Sequence, residues 1–189
     1  SGAPTRLGFG TTGDFLKTQG TGANPVWATV AGGLSEADTW RLTTTETSGS
    51  ATITTNIERD DTYGEGLLGT GMTESSGVFS FPSTGFWLVI ANGVWNSESQ
   101  NVPYCQIVIV YTANDGVAWN NAAFGLDSIG NHIAGYEYAG APAIKIFDIT
   151  DVANQKVRFS YSTDGSNARL DGDGNTTKTG FYFIKLGDT

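Results

Sequence analysis

The chain is poor in the residues that most enzymes need. It has one histidine, His132, and one cysteine, Cys105. A single cysteine excludes an internal disulfide, so packing or assembly must hold the fold. Cys105 sits in the apolar run CQIVIVY with no histidine beside it, which points to a buried thiol rather than a nucleophile. His132 stands in GNHIAGYEY with no flanking Ser or Cys motif, so no nucleophile, base and orienting acid can be assembled. Basic residues are scarce too: 10 Lys and Arg against 19 Asp and Glu give a net charge of −9. Phosphate recognition rests on Lys and Arg, so neither nucleic acid nor an anionic membrane surface is an expected partner. No apolar run approaches the ~20 residues of a membrane span, so membrane insertion is not expected, and no stretch resembles a signal peptide. The chain starts at Ser1 rather than Met and is expected to be a piece of a longer protein.

What is abundant is equally directional. Charged residues make up only 15% of the chain while Gly numbers 26, and Thr and Ser recur throughout. This usage suits many short strands joined by tight turns and is poor for helices. A length of 189 residues fits one domain with a short appendage. The organising stretch is GVFSFPSTGFWLVIAN, residues 77–92. It reads as a short strand, a turn in which Pro82 fixes its own φ and Gly85 takes φ > 0, and a strand apolar on both faces from Phe86 to Ala91. Such a strand must be covered on both sides, either inside a sandwich or by another subunit.

Residues 1–39 space single apolar residues between Gly, Thr and Asn turns. They are too few for a core and are expected to be an extended N-terminal segment, either a flexible tail or a stalk that orders only among several copies. Ser35 and Asp38 in SEAD could cap one helical turn. The head is expected over residues 40–189. WRLTTTE and ATITTNIE, with sparse apolar residues, are placed at an edge or outer face. NGVWNSESQNVPY reads as a polar loop with Trp95 still paired, CQIVIVY as a second two-sided strand, and NDG as a hairpin turn. A Gly-rich connection carries His132, Tyr136 and Tyr138. AIKIFDIT and KVRFSYST follow as strands, the second with Val157, Phe159 and Tyr161 inward. DGSNARLDGDGNTTK is read as a loop and TGFYFIKLGD as the last strand. The sum is an all-β jelly-roll sandwich of about eight to ten strands.

Three pieces in this order, FSFPSTGFWLVIAN, the pair AIKIFDIT and KVRFSYST, and GFYFIKLGD, resemble the tumour necrosis factor and complement globular-head superfamily of trimeric jelly rolls. The resemblance implies a TNF-like homotrimer whose three-fold axis is built from one sheet of each protomer. Carried over by position, Phe86, Leu88, Ile90, Tyr182 and Ile184 would face the axis, and Trp87, Val89, Phe181 and Phe183 would fill the protomer core. The other reading, that both faces are interior to one sandwich, stays open. Separately, GDFLKTQGTGANPVWATV is similar to a segment of phage tail-fibre and virion proteins, with Gly13, Leu16, Gly20, Gly22, Pro25 and Trp27 filling the form G-x-x-L-x-x-x-G-x-G-x-x-P-x-W. This resemblance implies a head on a stem at the surface of a phage particle, tied to other virion proteins through residues 1–39.

Candidate chemistry is thin. Glu58, Asp60 and Asp61, and Asp171 with Asp173, are the carboxylate pairs that a glycosidase would use, but depolymerising phage spikes are long repeat-built β-helices and this chain has no repeats. Asp171, Asp173 and Asn175 place oxygens at alternate positions, as a calcium loop would, without the spacing and final Glu of an EF-hand, so a plain turn is favoured and no cofactor is required. Trp95, Trp119, Tyr136 and Tyr138 are candidates for stacking on sugar rings or entering a protein partner, such as a host cell-surface glycan or protein, and equally for plugging the core. The expectation is a non-enzymatic, receptor-binding or adhesive trimer. A capsid decoration protein is the alternative, and a glycan-cleaving spike the less favoured one.

Overall fold

In this computed structural model the structure describes residues 6–29, 33–47, 49–64, 66–98, 101–130, 135–164 and 168–189. His132 lies outside them. The chain divides into two compact units, residues 1–33 and 34–189.

The first unit is a hairpin of β1 (Asp14–Lys17) and β2 (Val26–Thr29), paired from Asp14 opposite Thr29 to Lys17 opposite Val26. The segment expected to be extended thus folds back on itself. Trp27 fixes the approach to it: its Nε1 donates to the Gly8 carbonyl at 2.6 Å.

The second unit is all β. Its strands are β3 (Ala37–Leu42), β4 (Thr44–Glu46), β5 (Ser50–Thr52), β6 (Ile57–Arg59), β7 (Leu67–Leu68), β8 (Thr73–Ser75), β9 (Val78–Ser80), β10 (Gly85–Glu98), β11 (Val102–Thr112), β12 (Asn120–Ile129), β13 (Tyr136–Ile149), β14 (Lys156–Thr163), β15 (Arg169–Asp173) and β16 (Gly180–Gly187). One sheet runs β4, β15, β10, β16, β3, β6, with β13 also on β10 and β7 on β3. The other runs β12, β11, β14, β9, β8, with β5 on β14. All the pairings are antiparallel. The two sheets make a jelly-roll sandwich.

The alternation of KVRFSYST works as expected, with Val157, Phe159 and Tyr161 all buried. Phe159 stacks on Phe181 across the sandwich with ring centres 4.1 Å apart, and Phe79 meets Trp40, Phe159 and Phe183 at 5.0 to 5.4 Å. Such pairs add about 0.5–1.5 kcal/mol each beyond the area that they bury. The Pro82 turn is pinned by Trp87, whose Nε1 donates to the Ser83 carbonyl at 3.1 Å, and Gly85 leaves the turn at φ 138°, a value that L side chains rarely adopt. A second glycine is set by contact: a Cβ on Gly125 would stand 2.5 Å from the Ala141 oxygen, so the β12 backbone lies against that of β13.

Several expectations are corrected. The head starts ahead of residue 40, because β3 begins at Ala37 and pairs with β16. SEAD caps no helical turn. Asp38 is buried instead, accepting from Trp40 Nε1 at 2.8 Å, the Met72 amide at 2.7 Å and Arg59 Nε at 2.9 Å. Of WRLTTTE only Trp40–Leu42 leave the edge, since β3 sits between β16 and β6, whereas β4 (Thr44–Glu46) ends the sheet on one side and β6 on the other. Polar residues 93–98 continue β10, and the Gly-rich stretch from Tyr136 continues into β13, because each supplies the other's hydrogen bonds along all of Gly85–Glu98. Part of DGSNARLDGDGNTTK is likewise a strand, β15, paired with β10 and β4.

Candidate functional site

Strand pairing decides which side chains share the outer face of the larger sheet. Alternate residues of β10 go inward, and Trp87, Val89, Ala91 and Trp95 are fully buried. The residues between them go outward. Two rows then cross four strands: Ile144 (β13), Ile90 (β10), Tyr182 (β16) and Thr39 (β3), and beside it Ile146, Leu88, Ile184 and Ala37. Phe86 extends the band. Within the isolated chain Phe86 is 41%, Ile144 56% and Ile146 53% exposed, while Leu88, Ile90, Tyr182 and Ile184 are half-buried. These aliphatic and aromatic groups form one contiguous apolar band across the sheet face.

The resemblance carried five of these residues to the outer face. It did not supply Ile144 and Ile146, although their alternation with Ala143, Phe147 and Ile149 in AIKIFDI was the available signal.

A polar cluster borders the band. Arg41, 1% exposed, lies under the loop after β6 and binds Glu58, Asp60 at 2.7 Å and Asp61 at 3.1 Å, while Thr62 Oγ1 accepts at 2.8 Å. Burial pulls the Arg41 pKa down, but the hydrogen bond and charge of Glu58, with Asp60 and Asp61, raise it overall. Burial, and then the charge of Asp60, also raise the Tyr182 pKa. Glu58, Asp60 and Asp61 are therefore counter-ions to a structural guanidinium.

The four aromatic candidates separate. Trp95 is fully buried against Tyr161, ring centres 5.9 Å apart, so it is a core residue and not a ligand platform. Trp119 is half-buried in the turn before β12, beneath Arg158 at 4.1 Å. Tyr136 and Tyr138 are 54% and 66% exposed, but they stand on β13 and not on a loop. They line a polar hollow of about 270 Å³ with Asn96, Arg169, Asp171 and Lys178.

The calcium expectation meets a poor donor set. Asp171 is buried, accepts from Asn96 Nδ2, and has Lys178 Nζ 3.6 Å from its Oδ2. Asp173 Oδ1 accepts the amides of Asn175 at 2.8 Å and Thr176 at 3.0 Å, which lower its pKa. A lysine already takes the place of a cation, and among the described residues no group of three His, Cys, Asp or Glu is placed to hold a metal.

No family model and no curated protein sequence matches the chain. Solved structures do: a crystal structure of murine APRIL superposes with a TM-score of 0.55 at 11% identity, covering 80% of this chain and 98% of that one. A second murine APRIL structure gives 0.56 at 11% over the same shares. The structure of the Eiger TNF from S. frugiperda gives 0.51 at 13%, covering 81% of this chain and 93% of that one. The fold is thus a jelly roll of the tumour necrosis factor type. At such identities the likeness is one of fold alone.

Proposed function

We propose that this chain forms a homotrimeric, non-enzymatic adhesive head, carried at the surface of a bacteriophage particle as the receptor-binding end of a tail fibre or spike. The single observation that carries the reading is the apolar band of Phe86, Leu88, Ile90, Ile144, Ile146, Tyr182 and Ile184. Contiguous exposed apolar surface is unfavourable in water and marks an interface. A sheet face with no self-complementary partner closes naturally into a ring when the contact is heterologous, and the TNF-like fold favours a three-membered ring. The fibre placement is supported by residues 13–27, whose Gly, Leu, Pro and Trp spacing resembles virion stems; residues 1–33 would join the head to other virion proteins. Three identical weak sites on one rigid head gain avidity for a repeated cell-surface glycan or protein, with no chemical step.

The test joins solution mass to cell binding. Light scattering should give three chains per particle, and the labelled protein should adhere to susceptible bacterial cells. A persistent monomer sinks the assembly. A trimer that binds only intact capsids makes it a shell decoration, and release of reducing sugar ends makes it an enzyme.

A further inference from the structure

Arg158 projects from the outer face of the smaller sheet, in register with Val110 of β11 and Val78 of β9. Its guanidinium carbon lies 4.1 Å from the centre of the Trp119 ring. Gly116 lies beside the same indole, at a distance where an added Cβ would stand 3.5 Å from it. Trp119 is therefore a shelf for the guanidinium rather than an open stacking platform.

The shelf positions the cation without neutralising it. Arg158 Nε is buried with no acceptor among the described residues. None of their carboxylates lies within ion-pairing reach of Arg158, and Asp115, the acid in the same cleft, is taken by Lys156. A protein of net charge −9 thus holds a half-buried, uncompensated cation at the wall of a cleft of about 410 Å³. Burial pulls the Arg158 pKa below its ordinary value, the mark of a cation desolvated without compensation. Arg presents a planar fork suited to a carboxylate, and Thr73, Ser75 and Ser80 of the adjoining strands β8 and β9 line the same cleft.

We infer that this cleft binds an acidic sugar unit of a glycan, its carboxylate paired with Arg158 and its hydroxyls met by Thr73, Ser75 and Ser80. The inference rests on the reading of the chain as an adhesive head and supplies the class of its ligand. A volume near 400 Å³ suits one or two sugar rings. The neighbouring edge strand β8 has only three residues, too short to hold an extended acidic peptide by main-chain bonds.

The test is saturation-transfer NMR and calorimetry on the full chain. The probes are free N-acetylneuraminic acid and glucuronic acid, neutral glucose, and an oligoglutamate peptide. At least one acidic sugar should bind, glucose should not, and R158Q should weaken binding about tenfold or more, with R158K restoring part of it. K145A, which alters a cation outside the cleft, should bind like the parent. Binding of glucose as strong as that of the acids, binding of the peptide alone, binding of nothing, or an R158Q variant that keeps its affinity would each overturn the proposal. Each protomer carries a whole cleft, so the two readings fail separately: a monomer that binds acidic sugar loses only the trimer, and a trimer that ignores it loses only this site.

Discussion

Leu88 and Ile146 stand directly opposite each other in the β10–β13 ladder, on the side of the sheet turned away from the core, and Ile146 is 53% exposed in the single chain. Cross-strand apolar pairs normally sit beneath a covering layer. Here the covering layer is proposed to be a second copy. The double variant I144E/I146E should convert particles of three chains into monomers while leaving the far-ultraviolet spectrum unchanged, because both side chains point away from the core. Sedimentation velocity decides it, and a double variant with unaltered mass would remove the band from the interface.

Arg41 should matter to stability far more than an exposed arginine. Its guanidinium is 1% exposed and holds Glu58, Asp60 and Asp61 together. Glu58 and Asp61 are themselves exposed, so water compensates much of the charge left behind and the loss is about 1–3 kcal/mol, below that of a fully buried pair. R41M should therefore lower Tm by about 5 °C, given the few degrees per kcal/mol expected for a domain of this size. A shift below about 2 °C in scanning calorimetry would contradict the assignment.

The Cys105 thiol donates to the Asp127 carbonyl at 3.6 Å, and burial, with the charge of Asp127, pushes its pKa from 9.0 up to about 12. The folded chain should resist iodoacetamide at pH 8 and react once denatured. The raised pKa also fixes a sign. The folded state holds this proton more tightly than the unfolded one, so the thiol's contribution to stability is fully present below pH 9 and is lost as pH rises toward about 12. C105A should flatten that alkaline decline in urea titrations, and a parent and variant with parallel pH profiles would refute it.

Gly125 offers a packing test. A Cβ there would meet the Ala141 oxygen and the Pro142 carbonyl carbon at 2.5 Å, and the Ala143 nitrogen at 2.7 Å. Backbone cannot yield as a side-chain end can, so G125V should push β12 off β13 and cost about 1–3 kcal/mol. G140V, where nothing lies within 4 Å of the added Cβ, serves as its control. Equal denaturation midpoints for the two variants would count against the close approach.

Much of this was legible in the chain itself. The alternation of Val157, Phe159 and Tyr161 names a strand and its inner face without any partner, because successive side chains leave a strand on opposite sides. Pro82 and Gly85 mark the turn into β10 for equally local reasons. Trp95 was not legible as a core residue. It sits in NGVWNSESQ, where Val94 is the one other large apolar side chain, and only pairing with Ala139 of β13 and Leu170 of β15 buries it. Nor was Asp38, whose partners Arg59 and Met72 come from β6 and from the approach to β8.

The sequence by itself determined the all-β class, the turn positions and the inward side of each clearly alternating strand, since period-two patterning and backbone preference act over a few residues. The tertiary structure alone decided which strands lie side by side, and with that the joining of Ile144 and Ile146 to Leu88 and Ile90, the conversion of Glu58 and Asp60 into partners of Arg41, and the placing of Trp119 under Arg158. Those outcomes depend on register between segments far apart in the chain. Register is set by the whole core closing at once, so no local window contains it.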